Sequence, residues 1–324
     1  MPVTAAFARV PKELSLTSGA ISMPNDVLDP TEIELEYGAL KLAVCPALGG
    51  AITRLSFDGI DLLRPWDGTD NVRRTGCFVL APFSNRVGEG AFTHEGQRYP
   101  LRSPSPDHLL PIHGVAWKRA WTVLEQGSDH LSLIVTHQPE GEAALDWPFA
   151  FELEHRLTLN AHGVALQLEL RNIDGRSMPA GLGWHPYFLR HEGCQLQFSA
   201  QSVWQNDSAN LPSALSQIPA QWDFAATRQI DEPGLDNCFV GRSGPVRLYW
   251  PGAGIELKMN PGAPLDRLVV FTPPSAMGFF AVEPVTHTNN ALCMDDPSAH
   301  GMYMLQPGER MQAHCEFTIG RVAR

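Results

Sequence analysis

The chain has 324 residues, of which 44% are hydrophobic and 18% are charged, as in folded proteins rather than disordered ones. Its 35 acidic residues outnumber its 24 basic residues, and the basic residues form no cluster, which argues against nucleic-acid binding and favours a small neutral ligand. No apolar run approaches the length of a membrane span, so we expect no contact with a membrane.

Residues 1–30 predict an irregular lead-in before the first strand. They lack the apolar segment of a signal peptide, and we therefore expect a cytoplasmic protein. The first strands are predicted at Ile33–Tyr37 and Leu40–Val44, where apolar and polar residues alternate with a period of two.

The clearest pair of strands is an antiparallel hairpin. Phe151–Leu159 and Val164–Leu170 both alternate, and Asn160–Gly163 supplies the turn between them. Alternation predicts further strands at Leu131–Val135, Val246–Tyr249, Ile255–Met259, Leu268–Phe271 and Cys315–Ile319. Helical periodicity is weak, and no linker is visible. The sequence therefore predicts an all-β fold, a large antiparallel β-sandwich formed by a single domain over residues 31–324.

Polar loop residues in the first half of the chain are the first candidates for a site. Asn85 offers a donor and an acceptor and Arg86 a planar fork of donors, so the pair suits sugar hydroxyls, although a polar turn explains it equally well. His113 is a candidate hydroxyl donor, with a structural role about as well supported, and His108 favours the structural role. Their spacing, without a third ligand nearby, argues against a zinc site.

His185 lies among aromatic residues in the segment Gly183–Phe188. Trp184, Tyr187 and Phe188 supply apolar walls and flat surfaces on which a pyranose ring stacks. The pKa of an imidazole in such a setting moves easily across neutrality. The pattern favours a functional histidine over a core histidine.

Two acidic residues follow in the second half of the chain. Glu283 comes after five apolar or small residues, so we expect burial, which raises the pKa of a carboxyl towards values useful to a base. Pro284 is expected to end a strand and to expose Glu283 at the rim of the sheet. Asp236, next to Asn237, offers further hydroxyl partners or is a turn residue.

The six cysteines are far apart and form no Cys-x-x-Cys pair. They therefore predict reduced thiols rather than a zinc site or a disulfide framework. The glycine-rich segments match neither a phosphate loop nor a dinucleotide fingerprint, and the sequence has no Gly-x-Ser-x-Gly.

In their order along the chain, these segments resemble the aldose 1-epimerase (galactose mutarotase) family. The matching segments are Asn85–Val87 with Gly90–Phe92, His113-Gly114, His185–Phe188, Leu235–Asn237 and Val282–Pro284. The resemblance implies the galactose mutarotase-like supersandwich, with a sugar site in an open cleft on one face. It also implies that no cofactor or metal is used.

The same resemblance implies roles for the candidate residues in mutarotation, the interconversion of the α and β anomers of a free aldose. Glu283 is implied to be the general base and His185 the general acid of this isomerase. Four residues are implied to hold the monosaccharide: His113, Asp236, Arg86 and Asn85. We expect the sugar to be the partner of a monomer or homodimer.

The chain departs from the family pattern in places. Leu189-Arg190 stands where familiar members have Asn-Leu, and Val115 stands where they have a second glycine. The segment after Glu283 also differs and contains His287, for which a site role and a structural role are equally supported. These departures indicate a divergent branch and leave the sugar open.

Three alternatives remain at this point. A hexose-6-phosphate mutarotase needs clustered basic residues, for which Arg73, Arg74 and Arg86 are candidates. A non-catalytic sugar-binding protein on the same fold is expected to lack the acid or the base. A glycoside hydrolase needs two carboxylates, and Glu283 has only Asp236 as a weaker second.

Overall fold

The structure, a computed structural model, describes residues 31–104, 109–231 and 233–322. The predicted lead-in over residues 1–30 and the candidate His108 lie outside the described residues. Within them, no helix is long and apolar enough to cross a membrane. The secondary structure of this part consists of strands and short 3-10 turns.

The strands in chain order are β1 (Ile33–Tyr37), β2 (Leu40–Cys45), β3 (Ala51–Phe57), β4 (Ile60–Asp61), β5 (Cys77–Leu80), β6 (Ala91–His94), β7 (Gln97–Pro100), β8 (Thr122–Gln126), β9 (His130–His137), β10 (Phe151–Asn160), β11 (Gly163–Asn172), β12 (Met178–Ala180), β13 (Gly183–Leu189), β14 (Gln195–Ser199), β15 (Ser202–Asn206), β16 (Pro212–Ser216), β17 (Arg228–Gln229), β18 (Asp236–Val240), β19 (Ser243–Trp250), β20 (Ile255–Pro261), β21 (Arg267–Phe271), β22 (Phe279–Val285), β23 (Tyr303–Leu305) and β24 (Arg310–Arg321). The 3-10 turns are Val72–Arg74, Gly88–Gly90, Ala116–Lys118, Gly141–Leu145, Ala220–Trp222, Ser275–Met277 and Ala291–Cys293.

Two large antiparallel sheets contain most of these strands. In the described residues, one has eleven strands in the order β1-β2-β3-β5-β13-β22-β21-β18-β15-β16, with β4 beside β3. The other has nine, in the order β17-β14-β19-β20-β24-β11-β10-β9-β8. β6 with β7 and β12 with β23 form two small two-stranded sheets.

The predicted hairpin and the other predicted strands are confirmed. β10 and β11 pair antiparallel from Phe151 opposite Asn172 to Asn160 opposite Gly163, so the connecting turn is Ala161-His162. Along β10, residues alternate between buried and more exposed, because one face of the nine-stranded sheet meets the core.

The two large sheets pack face to face over one apolar core. The rings of Phe188 on β13 and Phe317 on β24 lie 6.1 Å apart, and the indole N–H of Trp184 on β13 donates to Nε2 of His155 on β10 at 3.2 Å. These contacts join opposite sheets, as in a sandwich. The all-β sandwich predicted from the sequence is therefore correct.

The eleven-stranded sheet is apolar on its other face as well. A second buried cluster lies there, separate from the main core, and it includes Phe78, Tyr187, Val269 and Ala281. Strands buried on both faces read as continuous apolar runs, which is the pattern of β5 and β22. This second face carries the candidate site and is called the site face below.

Candidate active site

The central strand pair of the eleven-stranded sheet brings His185 and Glu283 together. β13 and β22 pair antiparallel with Tyr187 opposite Ala281, and the same register places His185 opposite Glu283. Nε2 of His185 lies 3.2 Å from Oε1 of Glu283. Directly opposite residues of an antiparallel pair project to the same face and touch. The strand register therefore sets the distance between the two groups.

The prediction that Pro284 ends a strand and exposes Glu283 is wrong. β22 continues to Val285 between β13 and β21, and only 2% of Glu283 is exposed, which confirms the expected burial. The pairing of β13 with β22 has a gap between its two flanking segments, and Pro186 and Pro284 lie in that gap. Proline has no N–H to donate, so an interrupted ladder accommodates it inside the sheet.

Aromatic rings surround the imidazole of His185. Its ring stacks on Phe78 with centroids 4.8 Å apart and lies 4.4 Å from the ring of Tyr187. The ring of His113 is nearly perpendicular to that of His185, with centroids 5.3 Å apart. His185 is 6% exposed, so these rings fix its orientation and exclude most water from it.

Burial shifts the two groups in opposite directions. Desolvation lowers the pKa of His185 to about 3, and the charge of Arg64 adds to this effect. Desolvation raises the pKa of Glu283 well above its usual value; Asp236 raises it further and Arg86 opposes the rise. Both shifts favour neutral side chains. The pair therefore holds one proton between two acceptors across a wide range of pH.

Asn85 and His113 are locked together in two strained loops. Both have positive φ, 59° and 65°. The N–H of Asn85 donates to Nδ1 of His113 at 3.1 Å, and the N–H of His113 donates to the carbonyl of Asn85 at 3.1 Å. Because Nδ1 accepts, the neutral ring carries its proton on Nε2, which makes that atom a hydrogen-bond donor.

Arg86 and Asp236 form an ion pair at the more exposed side of the site. Nη2 of Arg86 lies 3.1 Å from Oδ2 of Asp236, and the side chains are 20% and 26% exposed. Burial raises the pKa of Asp236, and Arg86 opposes the rise. Since both charges act on Glu283, the structure brings all six predicted site residues into one region.

The contacts of His287 are with the backbone, which favours the structural role. Its Nε2 accepts the N–H of Ser84 at 2.9 Å, and its Nδ1 is 2.8 Å from the carbonyl of Thr288. Both ring nitrogens are thus used by the backbone. The imidazole ties the loop after β22 to the loop that carries Asn85.

Sequence reasoning missed Arg64. Its guanidinium lies over the rings of Tyr187 and Phe279, at 4.0 and 4.4 Å from their centroids. Arg64 follows the buried Leu62-Leu63 pair as a single basic residue, and nothing in its neighbourhood in the sequence marks it as part of the site.

The described residues contain no group of three or more His, Cys, Asp or Glu placed to hold a metal ion. All six cysteines lie in this part of the chain and are free; five are buried, and Cys293 is exposed. Reduced thiols, as predicted, fit this arrangement.

Comparisons with known proteins place this geometry in context. The aldose 1-epimerase family model matches residues 31–318. YphB of Escherichia coli K12, an uncharacterized protein, is 28% identical over 285 residues, which cover 85% of this chain and 94% of YphB.

Solved structures share the fold. One from Escherichia coli K12 superposes with a TM-score of 0.83 at 25% identity, covering 90% of this chain and 99% of the other. A galactose mutarotase-like protein from Clostridium acetobutylicum gives a TM-score of 0.81 at 19% identity, with coverage of 90% and 96%. The second likeness is one of fold alone.

Proposed function

We propose that this chain, which belongs to the aldose 1-epimerase family, catalyses the interconversion of the α and β anomers of an aldose. The reaction opens and recloses the hemiacetal ring. A base removes the proton of the anomeric hydroxyl while an acid protonates the ring oxygen, and both oxygens are bonded to the same carbon. The reaction therefore requires two proton-handling groups close to one another.

In the proposed mechanism, Glu283 is the base and His185 the acid. Starting from carboxylate and imidazolium, ring opening moves one proton from the anomeric hydroxyl to Glu283 and another from His185 to the ring oxygen. The C1–O5 bond breaks and a C1 carbonyl forms, leaving a neutral carboxyl and a neutral imidazole. After rotation about C1–C2, the reverse transfers close the ring on either face of the carbonyl.

Burial suits this cycle. The open-chain stage leaves both side chains neutral, which is the state that desolvation favours. The ion-pair stage keeps opposite charges 3.2 Å apart, where they stabilise each other. All proton transfers take place between the pair and the sugar and none involves solvent, so a site closed to bulk water does not hinder the cycle.

The remaining candidates hold the sugar in this proposal. Asp236 and Arg86 offer a carboxylate and a guanidinium to vicinal hydroxyls, and Nε2–H of His113 donates to a hydroxyl beside His185. Asn85 orients His113 through its backbone N–H. Holding the ring in this way keeps the anomeric centre between acid and base.

One observation carries the proposal: His185 and Glu283 are buried in contact, and Oε2 of Glu283 is buried without a hydrogen-bond partner among the described residues. A buried carboxylate oxygen without a partner is costly. The anomeric hydroxyl of a bound sugar would supply the missing donor.

The test is polarimetry of freshly dissolved α-aldoses with purified protein. We expect the approach to anomeric equilibrium to accelerate in proportion to protein concentration for at least one free or phosphorylated aldose. Binding of the same sugars, measured by calorimetry, without any acceleration would instead establish the non-catalytic sugar-binding alternative.

A further inference from the structure

Arg64 is a half-buried cation held in place without a carboxylate. Nε and Nη2 donate to the carbonyl of Thr75 at 3.3 and 3.0 Å, and Nη2 also donates to the carbonyl of Arg73. Among the described residues it forms no ion pair, since the neighbouring Asp67 pairs with Arg74 instead. Nη1 takes part in none of these bonds, so this end of the cation can receive an anionic ligand.

The position of Arg64 relative to the acid–base pair follows from the strands. On the site face, β22 carries Glu283, then Ala281, then Phe279, and Arg64 covers the ring of Phe279. Four residues of a strand span roughly 13 Å between Cα atoms. The guanidinium therefore lies beyond Tyr187 from the acid–base pair, and its positive charge acts on His185.

Arg64 and Asp236 lie on opposite sides of the site. Arg64 is over Tyr187 of β13, whereas Asp236 is on β18, opposite Phe271 of β21. The sheet order β13-β22-β21-β18 puts the acid–base pair of β13 and β22 nearer to Arg64. The ion pair of Asp236 with Arg86, which is proposed to bind hydroxyls, therefore contacts one part of the sugar, and Arg64 faces a different part.

The proposed mechanism determines which part that is. His185 protonates the ring oxygen, and that oxygen is bonded to C5, which carries C6. Tyr187 follows His185 on the same face of β13, with rings 4.4 Å apart, and Arg64 lies over Tyr187. The C6 end of a bound hexose is therefore directed past His185 towards Arg64.

A second cation reinforces this end. Nη2 of Arg64 donates to the carbonyl of Arg73, so the two residues are neighbours, and both of their charges oppose the rise that burial causes in the pKa of the Tyr187 phenol. The acidic residues of the same loop are Asp67, which pairs with Arg74, and Asp70, which is exposed. The local charge is therefore positive, although the chain as a whole carries −11.

We propose that Arg64, assisted by Arg73, binds an anionic group on C6, so that the substrates are hexoses with a phosphate, sulfonate or carboxylate at that carbon. The inference rests on the proposed function and specifies its substrate class. Nη1 of Arg64 makes none of these backbone bonds and offers its N–H donors to such an oxyanion, and a charge-assisted bond compensates for the partial burial of the cation. A neutral hydroxymethyl group leaves that charge unmatched.

The test compares kcat/KM for glucose, glucose 6-phosphate and glucuronate by polarimetry. For the wild type we expect at least one charged sugar to exceed glucose by about tenfold or more. In Arg64→Gln this advantage is expected to fall by about tenfold to a hundredfold, while glucose turnover changes far less. Arg310→Gln, on a side chain of β24 in the other large sheet that is 55% exposed, is the matched control and should leave the ratio unchanged.

The outcomes separate this inference from the proposed function. Faster turnover of glucose than of both charged sugars by the wild type would overturn the inference and leave the mutarotase proposal intact. So would an equal loss for all three sugars in Arg64→Gln. If thermal denaturation shows that Arg64→Gln does not fold, two other measurements decide. One is the wild-type ratio of kcat/KM for a charged sugar to that for glucose. The other is Arg73→Gln, in which we expect a smaller loss of kcat/KM, confined to the charged sugars. No acceleration of any sugar would defeat both proposals.

Discussion

In the proposed mechanism, His185 and Glu283 are two ordinary side chains that become a matched acid and base. Neither is unusual in a protein, and each becomes useful only because the other is 3.2 Å away in a buried setting. Burial alone would leave two neutral side chains that are a weak acid and a weak base. Contact lets one proton move between them at low cost.

Replacing either member of the pair is expected to remove most activity. Glu283→Gln cannot accept the anomeric proton, and His185→Asn cannot donate to the ring oxygen, so each should lower kcat by about 10²–10⁴-fold. Polarimetry measures the rate, and the exposed Glu34→Gln on β1 is the matched control. Near-normal anomer interconversion by either folded variant would show that the roles are misassigned.

The pH profile should also reflect the pair rather than a free imidazole. Activity requires one shared proton. Burial lowers the pKa of His185 to about 3, so addition of a second proton, and with it the acid limb, moves to low pH. Burial raises the pKa of Glu283, so loss of the last proton, and with it the alkaline limb, moves to high pH. We therefore expect kcat/KM to be level between about pH 5 and pH 8. An inflection near pH 6.5, where a free histidine titrates, would contradict this.

The sequence marked most of the candidate site residues, and for a physical reason. A histidine among aromatic residues and a glutamate after an apolar run signal burial, and burial of polar groups is unusual enough to be visible in one sequence. Arg64 gave no such signal. Its proposed role depends on which rings it covers, and Tyr187 and Phe279 are more than a hundred residues away in the chain.

At the scale of elements, the alternation of apolar and polar residues located the strands well but said little about which strands are neighbours in the sheets. β1, β10 and β11 each have one solvent-exposed face, so a period of two is easily seen. β22 is buried on both faces, and its apolar run says nothing about its neighbours. The mistaken rim position of Glu283 arose there, because Pro284 normally indicates an edge.

The loop that positions His113 depends on a glycine. Gly114 has φ +67°, and a Cβ on it would lie 2.1 Å from the carbonyl oxygen of Ala81. Gly114→Ala should therefore destabilise the fold by about 2 kcal/mol or more and raise KM by displacing His113. Chemical denaturation and polarimetry measure the two effects.

Gly175→Ala provides the comparison for that change. A Cβ at Gly175 meets nothing within 4 Å, and its φ is not in the left-handed region. We expect its stability and KM to remain close to those of the wild type. If Gly114→Ala behaved in the same way, the close approach of the His113 loop to β5 would be unimportant.

At the scale of the whole molecule, buried histidines tie stability to pH. Burial lowers the pKa of His155 to about 3 and that of His287 to about 4, against about 6.5 in the unfolded chain. Their contribution to stability is complete above about pH 6.5 and is lost as the pH falls towards 4. Glu283, whose pKa is raised, acts in the opposite sense and offsets His185.

We expect the free energy of unfolding to fall by on the order of 2 kcal/mol for each of these two histidines between pH 7 and about pH 5. Urea denaturation at the two pH values measures the loss. His155→Gln, which keeps an acceptor for the indole of Trp184, should reduce the loss, whereas the exposed turn variant His162→Gln should not. Equal losses in the two variants would refute the assignment to His155.

The central position of β13 and β22 in the eleven-stranded sheet has an evolutionary consequence. The proposed proton donor and proton acceptor are anchored in adjacent strands at the middle of a sheet, while Asn85, Arg86 and His113 come from connecting segments. Connecting segments tolerate replacement far better than central strands. Descendants of such a scaffold can exchange one sugar for another by rebuilding their loops, and the chemical step is inherited unchanged.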